Sequence, residues 1–145
     1  MADLRDLERL CNGLPDRIEK AANRLAVDTT KAIGRDLVEH TPVDVTTAVS
    51  NWQVRLNSAA SFELPAIVPG ERGSTASQSR AEALAHQERF LAMKDPGEVI
   101  FLSNLTPYII DLNNGSSRQE PAGFVQRGIL VGELFLGRAT LRLYP

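Results

Sequence analysis

From Pro15 to about Glu39, apolar side chains recur close to every 3.6 residues: Ile18, Ala22, Leu25, Ala32, Ile33 and Leu37, with Thr29 filling the gap. Arg17, Lys20, Asn23, Arg24, Lys31 and Arg35 take the other faces. The spacing predicts a long helix with one stripe against a sheet, and Gly34 is a local weakness of about 1 kcal/mol within it. Upstream, Leu4, Leu7 and Leu10 or Cys11 predict a short separate helical piece over residues 3–11, interrupted at Gly13. Pro15 suits the first position of a new helix, where its missing N–H leaves no bond unmade. Asp16 and Glu19 place negative charge in that first turn, as the helix dipole favours. No internal repeat and no heptad array is visible.

The pattern changes inside "HTPVDVTTAVSNWQVRL", residues 40–56. His40 closes the helix, because Thr41 precedes a proline and avoids the α region. Asp44 is placed to cap a short turn over Val45, Thr46 and Thr47. From Val49 the period is two: Trp52, Val54 and Leu56 point one way, and Asn51, Gln53 and Arg55 the other, as in a half-buried strand. The Pro42-Val43-Asp44 corner therefore reverses the chain. It sets Trp52, the only tryptophan, as a wedge between the long helix and the sheet.

Residues 57–80 are rich in Ser, Ala, Gly and Pro, and read as an extended arm carrying Phe62, Leu64, Ile67 and Val68 among turn residues. A helix is predicted over 78–93, with Ala81, Leu84, Ala85, Phe90 or Leu91, and Met93 as its apolar set. Asp95-Pro96-Gly97 is a turn. Glu98 to Asn104 is a second strand, apolar on both faces and so expected to be central. Thr106 and Pro107 suit the N-cap and first position of a short helix that Gly115 stops. A terminal helix is expected from about Pro121, with Phe124, Val125, Ile129 and Leu130 on its apolar side. Residues 140–144, "TLRLY", alternate as a third strand would. The fold class expected is α+β: a long N-terminal helix packed on a small antiparallel sheet, with a middle helix, a short helix and a C-terminal helix. Residues 1–145 form one domain in which 57–80 is an extended arm or loop.

Composition narrows the chemistry. The net charge of −2 lacks the basic excess of an electrostatic nucleic-acid binder. Cys11 is the only cysteine, so no intrachain disulfide forms, and on a presumed apolar helix face it reads as a structural thiol. The first residues have no apolar core of a secretory signal, and no apolar run reaches the roughly 20 residues that cross a bilayer. Asn104 and Asn114 fit the glycosylation pattern, which carries no weight on a chain without such a signal. The two histidines, His40 and His86, lack metal-ligand spacing and read as a helix-end residue and a solvated helix residue. "PGERGSTAS" lacks the Gly-Lys-Ser/Thr ending of a phosphate loop, and Ser74, Ser77 and Ser79 lack a nucleophile elbow. Neither a catalytic constellation nor a cofactor is implied. A pocket near Tyr108, His40 and Arg118 is the one place where a small enzyme or ligand-binding domain would build a site.

Taken in order, the long helix, the corner and the segment after the second strand resemble the neck and tail-completion proteins of tailed bacteriophages, the minor tail protein Z type. Pro42, Val43, Asp44, Ser50, Asn51 and Trp52 match that family's corner-and-strand motif. Pro107, Tyr108, Ile109, Leu112, Asn114, Gly115, Ser116, Pro121, Ala122, Gly123 and Phe124 match its later motif. The resemblance covers about residues 15–130 apart from the arm. Val45-Thr46 stands where the family has Thr-Gly, and Asn113 or Asn114 where it has glutamate. It implies a non-enzymatic virion protein, assembled in the host cytoplasm as a ring, usually sixfold. The ring joins the head connector or head-completion protein to a tail-terminator or tail-tube protein. DNA would pass through its channel without specific binding, and no membrane is involved. The interaction residues would be Pro42, Asp44, Trp52, Phe62, Leu64, Ile67, Tyr108, Gly115, Gly123 and Phe124. The arm suits exchange with a neighbouring subunit, and an open sheet edge could take a partner strand. A protein-binding adaptor working through the terminal helix is the alternative.

Overall fold

A computed structural model describes residues 3–140. The elements in chain order are α1 (Leu4–His40), α2 (Thr47–Ser50), β1 (Gln53–Leu56), α3 (Ala76–Leu91), β2 (Ile100–Ser103), α4 (Ile109–Asn113) and α5 (Phe124–Arg138). This is the α+β class expected from the sequence. The expected third strand at 140–144 lies outside the described residues, apart from Thr140, which belongs to no strand.

α1 begins earlier than expected and does not break. Asp3 caps it: Oδ1 accepts from the amides of Arg5 and Asp6 at 2.6 and 3.1 Å, and the Asp6 carboxylate accepts from the Asp3 amide. Pro15 lies inside the helix rather than at its start. The bond it forfeits belongs to the Cys11 carbonyl, in a stretch that is mostly exposed, where water can replace the missing partner. At 37 residues the helix is about 55 Å long. Only its second half is packed: the buried positions are Ala21, Thr29, Thr30, Gly34, Leu37 and Val38. Ile18 and Ala22, expected on the buried stripe, are exposed, and so is Cys11. Before Leu37 and Val38 the stripe is made of small and hydroxyl-bearing residues. Thr29 and Thr30 become apolar in effect by donating to the carbonyls of Leu25 and Ala26.

Small residues recur wherever helices meet. α5 runs antiparallel to α1, with Gly128 against Leu37 and Gly132 against Ile33. The buried residues of α5 are Phe124, Gly128 and Gly132, whereas Ile129 and Leu130, expected to face the core, are exposed. The buried line of α3 is Ser79, Ala83, Gln87 and Leu91; Ala81 and Met93, expected there, face outward. The Gln87 amide lies across Gly34 and donates to the Trp52 carbonyl at 3.1 Å. The hydrophobic pattern finds Phe124, Val125, Leu84 and Leu91 on these faces but misses Gly128, Gly132, Ser79 and Gln87, because close approach and buried hydrogen bonds select for other properties. The terminal helix starts at Phe124, later than expected, after Gly123 at φ +91°, a left-handed conformation that glycine adopts without strain.

Among the described residues the sheet has two strands. β1 pairs antiparallel with β2, Gln53 opposite Ser103 and Leu56 opposite Ile100. Among the described residues β2 therefore has one neighbour and not the two of a central strand, and Phe101 on it is exposed. β1 is not half-buried either. Val49 and Ser50 belong to α2, and both Gln53 and Val54 are fully buried, so polar and apolar faces alike are covered. One core cluster joins the elements: Leu37, Val38, Val43, Val49, Trp52, Ala83 and Phe124, with Ile109 and Leu112 of α4 and Leu102 of β2 packed against it. Lys94 ties the turn after α3 to α1, its Nζ donating to Asn23 Oδ1 at 2.5 Å. Asp95 to Glu98 forms the expected turn, with Gly97 at φ +85°.

The glycines divide into two kinds that respond oppositely to a methyl group. At Gly34 an added Cβ would collide with the Gln87 amide, and at Gly128 it would come within 2.7 Å of Leu37; at Gly137 it would meet nothing. Gly34→Ala and Gly128→Ala should each destabilise by about 1–3 kcal/mol despite better helix propensity. Gly137→Ala should stabilise by up to about 1 kcal/mol. Urea denaturation of the three variants decides whether close approach or propensity rules each site.

Candidate functional site

The corner after α1 is held from several directions. The Trp52 indole is 5% exposed, and its Nε1 donates to Thr41 Oγ1 at 2.7 Å; that hydroxyl donates in turn to the Leu37 carbonyl at 2.6 Å. The wedge expected from the sequence is therefore present and is bonded at its polar end. Arg80 of α3 reaches the Val38 and Thr41 carbonyls, so a cation sits at the C-terminus of α1, where the dipole favours one. His40 ends the helix, its Nδ1 2.9 Å from the Asp36 carbonyl. Asp44 does not cap the turn over 45–47. It bonds forward instead: its Oδ1 accepts from the Arg72 amide at 3.1 Å, and its carbonyl accepts from the Gly73 amide at 3.0 Å.

The two distant motifs meet here. The side-chain amide of Gln119 lies beside Val43 as a strand would, Oε1 accepting from the Val43 amide at 2.9 Å and Nε2 donating to the Val43 carbonyl at 3.1 Å. Asn104 donates to the Ala48 carbonyl at 2.8 Å, which engages one of the two glycosylation-pattern amides internally. Between the motifs lies a groove of about 290 Å³ lined by Pro42, Asp44, Val45, Tyr108, Leu112 and Gln119 among others. Partial burial pushes the Tyr108 phenol above its ordinary pKa, against the lowering effect of a hydrogen bond with the Thr47 side chain. Of the residues expected to build a ligand pocket, Tyr108 lines this groove and His40 and Arg118 do not.

Of the sequence-predicted residues, Pro42, Asp44 and Tyr108 share the groove. Trp52 and Phe124 lie in the core below it. Gly115, at φ +90°, stops α4 as expected, while Thr106 does not cap that helix: its hydroxyl is buried with no partner among the described residues. Asn113 is the residue that sequence reasoning missed. Its Oδ1 accepts from the Val125 amide at 2.9 Å and its carbonyl accepts from the Gly123 amide at 2.7 Å, so it caps α5 from the preceding helix. Arg127 then bridges Glu120 and Asp36 and ties this loop to α1.

Phe62, Leu64 and Ile67 lie apart from the groove, on the segment expected to be a detachable arm. That segment has no helix or strand before Ala76, but it is stitched to the domain. Asn51 Oδ1 accepts from the Leu64 amide at 2.7 Å, and Nδ2 donates to the Leu64 carbonyl at 2.8 Å. Gln53 donates to the Phe62 carbonyl, and the Ile67 amide donates to Ser50 Oγ. Hydroxyls of Thr46, Thr75 and Ser79 converge on the Val68 carbonyl. The buried polar residues Asn51, Gln53, Ser50 and Ser79 thus find their partners in the loop, as burial requires. Only Phe62 stands clearly exposed among the expected sticky side chains.

His86 is not a solvated helix residue. Its Nδ1 is buried without a partner among the described residues, and its ring lies against Phe90, over which Arg55 stacks at 4.3 Å. Burial lowers its pKa below the ordinary imidazole range, helped by the charges of Arg55 and Arg89. Among the described residues no group of three His, Cys, Asp or Glu side chains could hold a metal ion, and no helix is long and apolar enough to cross a membrane. Comparison of the chain with protein-family models, with curated proteins and with solved structures returned no match.

Two tests follow from this geometry. Asn51→Ala should cost about 2–4 kcal/mol in urea denaturation, since it orphans both backbone groups of Leu64; deletion of 59–76 should abolish cooperative unfolding. For His86, the unfolded chain binds the proton more tightly than the folded one. Stability should therefore fall as pH drops below about 6.5 and level off once the lowered folded pKa is passed. His86→Gln should remove that slope from the difference between urea midpoints measured at about pH 7.5 and pH 5.

Proposed function

We propose that this chain is a structural protein of a tailed-phage neck, which completes the tail by forming a ring between the head connector and the tail. The observation that carries the reading is the meeting of the two family-like motifs. Gln119, from the later motif's loop, pairs with both backbone groups of Val43 in the corner, 76 positions away in sequence. Both motifs therefore build one surface around the groove that Pro42, Asp44 and Tyr108 share. In this reading the chain works through surfaces and not through turnover. The groove rim is a contact for a ring partner, a connector or head-completion protein on one side and a tail-terminator or tail-tube protein on the other. The mildly acidic chain suits a channel wall over which DNA slides without being held. Among the described residues the outer edge of β2 carries no strand, so one from a neighbour could pair there.

A second reading, a monomeric adaptor that binds another protein through α5, is favoured by the exposure of Ile129, Leu130, Leu134 and Leu136 on that helix. Electron microscopy of purified virions, with the chain labelled at its C-terminus, separates the two. The neck reading expects label in a ring at the head–tail junction and a fixed number of copies per particle. A chain that is missing from particles and recovered as a monomer on another protein sinks it.

A further inference from the structure

Two apolar surfaces of this chain have no covering element among the described residues. The first is the unpacked half of α1. Because the helix runs unbroken through Gly13 and Pro15, Leu4, Leu7, Cys11, Leu14 and Ile18 fall at alternating steps of three and four, the spacing of a coiled-coil seam. A break at Gly13 would interrupt this spacing; the continuous helix preserves it. Leu4 is 84% exposed, and Leu7, Cys11 and Ile18 are exposed with it. The second surface is a groove of about 700 Å³ between the middle of α1 and the end of α5. Leu25, Val131, Leu134 and Phe135 give it an apolar floor, and Arg24, Asp28 and Arg138 also line it.

The charges match. The tip of α1 carries Asp3, Asp6 and Glu8 against Arg5 and Arg9, and the groove carries two arginines against Asp28. Pairing two stripes antiparallel, with Leu7 against Cys11, would instead set Glu8 opposite Glu8 and leave the groove bare.

We propose that the exposed half of α1 of one copy docks in the α1–α5 groove of a second copy, a head-to-tail contact that repeats until the ring closes. This deepens the ring reading above and rests on it only for closure. Stripe and groove lie on different parts of the chain, so the contact is heterologous, and that gives it a distinctive test. Leu7→Glu spoils the stripe and Leu134→Glu spoils the groove; both side chains are exposed, so circular dichroism should show each variant folded. By native mass spectrometry the unaltered chain should be a closed oligomer and each variant alone a monomer. An equal mixture should give a one-to-one heterodimer and nothing larger, because one intact stripe then meets one intact groove.

An unaltered chain that stays monomeric at its highest soluble concentration overturns the proposal. So does a Leu134→Glu chain that still assembles, the result expected if stripes pair with each other or if another surface builds the oligomer. A mixture that remains monomeric overturns it as well. The neck reading fails separately: an oligomer built this way but absent from virions removes that reading and leaves the interface standing.

Discussion

The hydrogen bond from the Trp52 indole to Thr41 fixes the point where α1 stops and the rest of the chain begins. Thr41 passes the bond on to the Leu37 carbonyl, which also accepts from the Thr41 amide at 3.0 Å, so hydroxyl and amide of the capping residue close the last turn together. The indole's apolar body fills the core beside Val38, Val49 and Ala83, while its polar edge holds the hydroxyl of the residue that caps the helix. The Trp52 carbonyl is in turn held by Gln87 of α3. A single side chain and its own backbone thus orient the helix end, the first strand and the middle helix together. The corner between them has no freedom to relax independently.

Much of this was legible in the sequence. The long helix, its stop at Thr41-Pro42, the wedge at Trp52 and the turns at Gly97 and Gly115 follow from periodicity and from backbone constraints that act locally. The failures share a cause. At Gly34, Gly128 and Gly132 the buried face is defined by what can come close, which a search for apolar residues reads as a weakness. At Ser79 and Gln87 the buried face is polar, because those side chains serve backbone groups far along the chain. At Asn113 the cap is supplied from another helix, so no neighbouring residue announces it. Pro15 misled for the opposite reason: its local preference to start a helix is overruled where the chain on both sides is already helical.

The segment 57–75 shows how a stretch without regular structure becomes part of a fold. Its composition reads as a detachable arm, and its few apolar residues are scattered. Yet Asn51, Gln53, Ser50 and Thr46 treat its backbone as a strand partner, and each of their bonds replaces water that cannot reach a buried site. The domain therefore has a polar core beside its apolar one. The first is specified by directional bonds and the second by volume.

The close seat of α5 on α1 also has a mechanical side. Gly128 and Gly132 bring the two helices together over the packed half of α1, while the other half has little around it. A stiff rod held along one half behaves as a lever whose fulcrum lies where the packing ends, near Asn23. A small rocking at the seat sweeps the free tip through a much larger arc. Whatever load is applied at Leu4 is felt, magnified as torque, beneath Leu37 and Ile33.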